Sequence, residues 1–234
     1  MKKLLLLSVL LSSLFVTGYS QDRGYVAISA GPSFPSGDFG STDLDNEAAG
    51  LANTGAIFDI TYAQKFGKNF GITVLLRGQS NGVETGSLLW DIRTQLPQIN
   101  WSAESGSWGI AGFMGGLYYS IPIGSGKVCI DSRAMLGYLN ATSPEITLTG
   151  NYQGLTAWSK VESGQAGAAA WLLGTGFRFN LGKHLCLLTN VDYLGSETEF
   201  EDVATTDSLG GYSTDTYSQS FGTFNVGVGL GYKW

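Results

Sequence analysis

The chain has 234 residues, of which 34 are glycine and 12% aromatic, while only 14% carry charge. No segment beyond the first twenty residues approaches about eighteen consecutive apolar positions, which excludes a helical membrane protein. A formal net charge of −6 argues against nucleic acid as a partner.

Residues 1–20 have the pattern of an export signal. Lys2 and Lys3 give a positive start, Leu4 to Val16 is almost continuously apolar, and Gly18-Tyr19-Ser20 offers small residues for cleavage before Gln21. No cysteine lies there to carry a lipid anchor. One domain, 21–234, follows.

Eight runs of alternating apolar and small or polar residues then succeed one another. They fall at about 23–33, 54–65, 69–80, 108–121, 127–140, 168–181, 184–195 and 221–233. Gly67-Lys68-Asn69, Gly124-Ser125-Gly126 and Gly182-Lys183 make three tight turns between them. The remaining connections, at about 34–53, 81–107, 141–167 and 196–220, are long. Strict alternation of short and long connectors is the layout of an up-and-down barrel with turns at one rim and loops at the other.

The faces of the runs say which solvent surrounds the barrel. In the last run Phe224, Val226, Val228, Leu230, Tyr232 and Trp234 share one face, opposite Asn225, Gly227, Gly229, Gly231 and Lys233. Trp171, Leu173, Phe177 and Phe179 oppose Gly174, Gly176, Arg178 and Asn180. The large aromatics cannot fit a narrow bore, so the small and charged face points inward and the apolar face meets lipid. A soluble lipocalin-like carrier would have the reverse arrangement. The fold class is therefore all-β: an eight-stranded antiparallel up-and-down transmembrane β-barrel, with short periplasmic turns and long extracellular loops. The run from Trp108 to Ile121 alternates poorly, which leaves its register open by one residue. Trp234, Tyr232, Tyr62 and Phe66 near the turns, and Tyr138, Trp108, Trp171 and Tyr193 near the loops, are expected to form two interfacial girdles.

Charge divides sharply along the chain. The long connections hold fifteen acidic residues against Arg93 and Lys160 alone, whereas the turn rim is basic. Asp59, Arg77, Asp131, Arg133, Arg178 and Asp192 remain, and alternation sends all six inward. Three arginines against three aspartates suggest a neutral ion-pair network that plugs the bore, since buried charges persist only when paired. A selective channel lining is the alternative. The acidic loops read as a solvated outer surface, or as a surface that gathers divalent cations and so lies against lipopolysaccharide phosphates. Asp43-x-Asp45-x-Glu47 lacks the glycine and distal glutamate of a calcium loop.

Little catalytic chemistry is visible. His184, the only histidine, adjoins the Gly182-Lys183 turn. Cys129 and Cys186 face inward on runs separated by one strand, which puts their backbones about 9–10 Å apart. That is too far for a relaxed disulfide, although strand tilt leaves a bridge open. No cofactor is expected.

Taken with the strand pattern, the C-terminal Phe224-x-Val226-x-Val228-x-Leu230-x-Tyr232-x-Trp234 resembles the small eight-stranded outer-membrane barrels of the OmpX and OmpA transmembrane-domain type, as found in Bacteroidetes-like bacteria. The resemblance implies that these six residues are the signal read by the barrel-assembly machinery. It also implies contact with outer-membrane lipid and lipopolysaccharide. Some barrels of this size modify lipid A with serine, histidine and acid at the loop rim, but His184 lies at the other end. The expectation is a non-enzymatic surface scaffold for envelope integrity, adhesion or ligand contact through acidic loops, with a lipid A-modifying enzyme or a small low-conductance pore as alternatives.

Overall fold

The computed structural model describes residues 23–234, so the export signal and its cleavage before Gln21 lie outside the described residues. In chain order come β1 (Gly24–Ser36), β2 (Ala52–Lys65), β3 (Phe70–Val83), helix α1 (Thr85–Gln95) and β4 (Asn100–Ser105). Then follow β5 (Trp108–Ile123), β6 (Val128–Thr142), β7 (Ile146–Tyr152), β8 (Leu155–Val161), β9 (Gln165–Asn180), β10 (Leu185–Asp207) and β11 (Tyr212–Lys233).

Eight of these strands form an antiparallel ring in the order β1-β2-β3-β5-β6-β9-β10-β11, closed by pairing of β11 with β1. Closure leaves no sheet edge along the wall, as lipid requires. Backbone bonds beside β1 and at the end of β11 lock the seam: the Arg23 N–H donates to the Trp234 carbonyl at 2.9 Å, and the Trp234 N–H to that of Gly24 at 3.2 Å. The β5–β6 turn needs its glycines, because Gly124 and Gly126 hold φ of 56° and 77°.

Alternation decides the wall. All six residues of the C-terminal pattern, Phe224 to Trp234, are between 37% and 59% exposed on the outer surface. The poorly patterned fourth run has a definite register. Trp108, Ile110, Met114 and Tyr118 point inward, while Phe113 and Leu117 point outward. Trp108 therefore leaves the expected loop-side girdle and enters the bore.

The rest of that girdle is seated on glycine. A Cβ at Gly167 would collide with the Tyr138 ring, one at Gly195 with Trp171, and one at Gly222 with the Tyr193 hydroxyl. Each aromatic thus lies across a bare patch of the next barrel strand. Trp171 and Tyr193 also pack against each other with ring centroids 5.3 Å apart.

The long connections are largely structured, which the sequence reading of them as loops does not anticipate. β10 and β11 continue past the ring as one long hairpin, and β8, β7 and β4 add to the β10 side. Helix α1 rests against β4. The loop-side rim therefore carries an exposed sheet platform rather than irregular loops.

Candidate functional site

The bore is filled in two chemically different layers. Nearer the turn rim, Arg178 on β9 donates through Nε to Asp131 on β6 at 2.8 Å, and through its other nitrogens to Asn180 and Ser120. Its guanidinium lies 5.4 Å from the Tyr25 ring centre, and Tyr25 stands edge-on to Tyr118. Asp131 Oδ1 has no protein donor. An acceptor of that kind is ordinarily satisfied by a single buried water.

One level further in, Arg77 makes two forked contacts. Nε and Nη2 reach the carboxylate of Asp59, its direct register partner, at 2.8 and 2.7 Å. Nη1 and Nη2 reach Asp192 at 2.7 and 3.1 Å. Asp192 lies on β10, on the opposite side of the ring from β3, so this contact crosses the bore. Arg133 donates to the same carboxylate at 2.7 Å, and the Asn225 amide adds a bond at 3.3 Å. Arginine's planar five-donor fork suits it to grip two carboxylates at once. All six charged residues singled out from alternation thus sit inside, each in an ion pair.

Toward the loops an apolar cluster dominates the bore, with Gln79 and Asn81 buried beside it and hydrogen-bonded at 2.9 Å, which corrects the expectation of a polar interior throughout. Met114, Met135, Leu139, Leu172 and Leu194 belong to it, and Leu75, which precedes Arg77 on β3 toward the turn rim, joins the same cluster. Phe39, carried by the short helical turn Gly37–Gly40 of the first long connection, caps it. Phe39 is fully buried, with ring centroids 5.7 Å from Trp108 and 4.8 Å from Phe221. Trp108 also packs on Phe200, and Phe200 stacks on Tyr217. Burial raises the Tyr217 phenol above its ordinary pKa, against a smaller opposing hydrogen bond from Ser143.

The first connection is tied into this plug. The Trp108 indole donates to the Gly50 carbonyl at 2.8 Å, and Gln219 donates to that of Ala48 at 3.2 Å. Gly50 must stay bare because its Cβ would meet the Phe39 backbone and ring. Sequence reasoning missed Phe39, although it is a lone aromatic between two glycines in an acidic stretch.

The other candidates resolve simply. Cys129 and Cys186 are both buried and unbridged. His184 stacks on Tyr232 at the turn rim, its Nδ1 lying 3.3 Å from the Lys233 carbonyl. Among the described residues no three acidic, histidine or cysteine side chains converge as metal ligands. Glu197, Glu199 and Glu201 instead project outward in a row from β10.

No protein-family model matches the chain, and no curated protein is similar to it in sequence. Solved structures do match it. A major outer membrane protein from Thermus thermophilus superimposes with a TM-score of 0.50 at 11% identity, over 90% of this chain and 99% of that one. The outer membrane protein OprG from Pseudomonas aeruginosa gives 0.48 at 13% identity, over 92% and 98%. The attachment invasion locus protein Ail of Yersinia pestis gives 0.42 at 15% identity, over 91% and 99%. At these identities the likeness concerns the fold, which is that of the small outer-membrane β-barrels.

Proposed function

We propose that the protein is an outer-membrane scaffold: a sealed barrel that holds a folded, acidic platform at the cell surface. The observation that carries this reading is the Arg77 side chain, which spans the bore from Asp59 to Asp192. Eight strands leave an interior only wide enough for side chains. In this reading it is closed once by ion pairs and again by the aromatic plug, which would leave no continuous water path along its axis.

Function then belongs to what the rim displays. In this reading the turns and both chain ends of the mature protein face the periplasm, and the platform faces outward. The aromatic girdles set the depth in the bilayer, and Phe224 to Trp234 on the outer wall serve as the assembly signal. The acidic surface gathers divalent cations diffusely where lipopolysaccharide phosphates lie alongside.

Two measurements test the proposal together. Planar bilayers with the refolded chain should show little steady conductance; a large, stable current would make it a pore. A cysteine placed at Ser208 on the platform should react with an impermeant maleimide on intact cells, and one at Ser125 in a short turn should not. The native thiols are buried and should stay silent. Labelling only at position 125 would invert the orientation.

A further inference from the structure

The platform sheet ends in two strand edges, β4 on one side and the upper part of β11 on the other. A bare edge offers unpaired N–H and C=O groups to any strand that meets it, so proteins ordinarily blunt theirs. The β4 edge is blunted. The Gly106 N–H donates to the Glu145 carbonyl at 2.8 Å, so alternation turns Trp101, Ala103 and Ser105 toward the open side. Arg93 of α1 takes the Trp101 carbonyl at 2.6 Å, the strand has only six residues, and the helix rests against it.

β11 has no such guard. At the turn rim the Lys233 N–H donates to the His184 carbonyl, and at the hairpin tip Gly211 accepts from the Asp207 N–H. Both ends therefore agree that odd-numbered residues of β11 face β10 and even-numbered ones face away. The one register shift, between Phe200 and Val203, adds its extra residue to β10 and leaves β11 regular. Up to Gly222 the outer side of β11 pairs with β1, which ends at Ser36. Beyond it, Ser220, Ser218, Thr216, Thr214 and Tyr212 turn their backbone groups to a side where, among the described residues, no strand lies. All five are exposed. The stretch 212–220 holds no lysine and no proline, and Asp215 is its only charge.

The occupant that fits this edge is the same edge of a second copy. Two identical edges cannot pair in parallel about a twofold axis, because parallel pairing sets an edge-facing residue opposite one that faces away. Antiparallel pairing has no such conflict. Centred on Thr216, the midpoint of the open stretch, it sets Thr216 against Thr216, Thr214 against Ser218 and Tyr212 against Ser220. Hydroxyl pairs of this kind are favourable across strands. Asp215 then faces Tyr217 of the second copy, whereas centring on Asp215 would oppose two carboxylates.

We propose that 212–220 of β11 is a homophilic strand-addition site, through which two copies of this protein join their platforms into one continuous sheet. β11 runs unbroken from the barrel wall into the platform, so antiparallel pairing puts the two barrels at opposite ends of the joint, in facing membranes. The partner is thus a second cell carrying the same protein, a step that rests on the outward platform of the scaffold reading. One strand pair is weak, and many copies between two cells supply the avidity. Both platforms are acidic, so salt strengthens the contact by screening their repulsion.

The test uses the full chain in lipid nanodiscs holding one barrel each, followed by sedimentation velocity at high salt. Wild-type discs should form doublets as their concentration rises. Thr216→Pro removes an N–H that faces the open side, which an edge strand tolerates. It should weaken pairing roughly tenfold, about one hydrogen bond's worth, while the barrel stays heat-modifiable. If that variant fails to fold, cysteines carry the test, the native thiols being buried. Thr216→Cys discs should link to one another under mild oxidation, since directly opposed strand residues lie within disulfide reach. Thr214→Cys and Ser218→Cys should link only when the two variants are mixed. Cells displaying the wild type should settle together, and cells displaying Thr216→Pro should stay dispersed. Discs that remain single would overturn the proposal and leave the edge to an extended segment of a different protein. Doublets that survive Thr216→Pro unweakened, or thiols that link in another register, would overturn it too. Discs that pair while wild-type cells stay dispersed would uphold the strand pairing and overturn the outward orientation instead.

Discussion

The two halves of the bore share the same strands and are filled in opposite ways. Toward the turns the interior is ionic, with Arg77, Arg133 and Arg178 satisfied by Asp59, Asp131 and Asp192. Toward the loops it is a packed aromatic and aliphatic core around Phe39 and Trp108. The ionic half depends on every member being present, because a buried charge without its partner is costly. The apolar half depends on shape and loses roughly in proportion to the volume removed. The two seals should therefore fail differently.

The largest effect should come from the ionic side. Asp192→Ala leaves both Arg77 and Arg133 short of a carboxylate, and breaking a buried pair in this way costs about 3–5 kcal/mol. The urea midpoint of the refolded barrel should fall by an amount matching that loss, and less folded, heat-modifiable protein should reach the membrane. A variant as stable as wild type would mean that water reaches the pair and that this half of the bore is hydrated.

Phe39→Ala should come next, at about 3 kcal/mol, the lower end of the range for removing a buried phenylalanine. Its more informative readout is conductance. With the ionic layer intact, opening the aromatic cap alone should leave the current low. Only Phe39→Ala combined with Asp192→Ala should conduct well. A large current from the single Phe39 variant would show that the ionic layer is no seal.

The difference between the halves also explains what the sequence disclosed. Arg77, Asp59 and Arg178 alternate with outward aromatics or aliphatics, so period-two geometry places them inside. The apolar half gives no such contrast. In β9, Leu172 points inward and Trp171 and Leu173 outward, and where both faces are apolar alternation carries no information. Trp108 was misplaced for the same reason: an aromatic at the loop end of a strand reads as a girdle residue whichever way it points. The platform was hidden by composition. Glu197, Glu199 and Glu201 make 196–220 look like a solvated loop, yet they alternate with the buried Thr198 and Phe200, and the inward Phe200 is what the extended hairpin is built on. Cross-bore partners such as Arg77 and Asp192 are 115 positions apart, a distance only closure of the ring could span.

The lipid-facing girdle should be more forgiving than either half of the bore. Trp171→Ala removes a ring that packs on Tyr193 and covers Gly195, at the edge of the apolar band. Lipid can refill much of that space, so a loss of about 1 kcal/mol is expected, the scale of an aromatic pair. Unfolding in urea from vesicles would measure it. A loss as large as that of Asp192→Ala would mean that the glycine seat holds the strands in register.

The smallest effect should come from the platform's own ion pairs, even though their geometry matches that of the bore. Lys160 Nζ lies 2.8 Å from Glu145 and 3.1 Å from Glu162, as close as many contacts inside the barrel. The hydrogen bond to Glu145, then that to Glu162, raises its pKa above the ordinary lysine value. A raised value means that folding favours the charged amine. The stabilisation is thus fully present below lysine's ordinary pKa of about 10.4, and is lost only as pH climbs through the higher folded value. Stability should therefore be flat in this respect between about pH 6 and 9. Water surrounds the pair and salt screens it, so Lys160→Met should leave the urea midpoint near that of wild type, most closely at high ionic strength. The same substitution logic applied to Arg77 should be severe at any salt concentration, because its partners see no solvent. If Lys160→Met destabilised the chain as Asp192→Ala does, burial would not be what separates the two sets of ion pairs, and the platform would have to be folded as tightly as the bore.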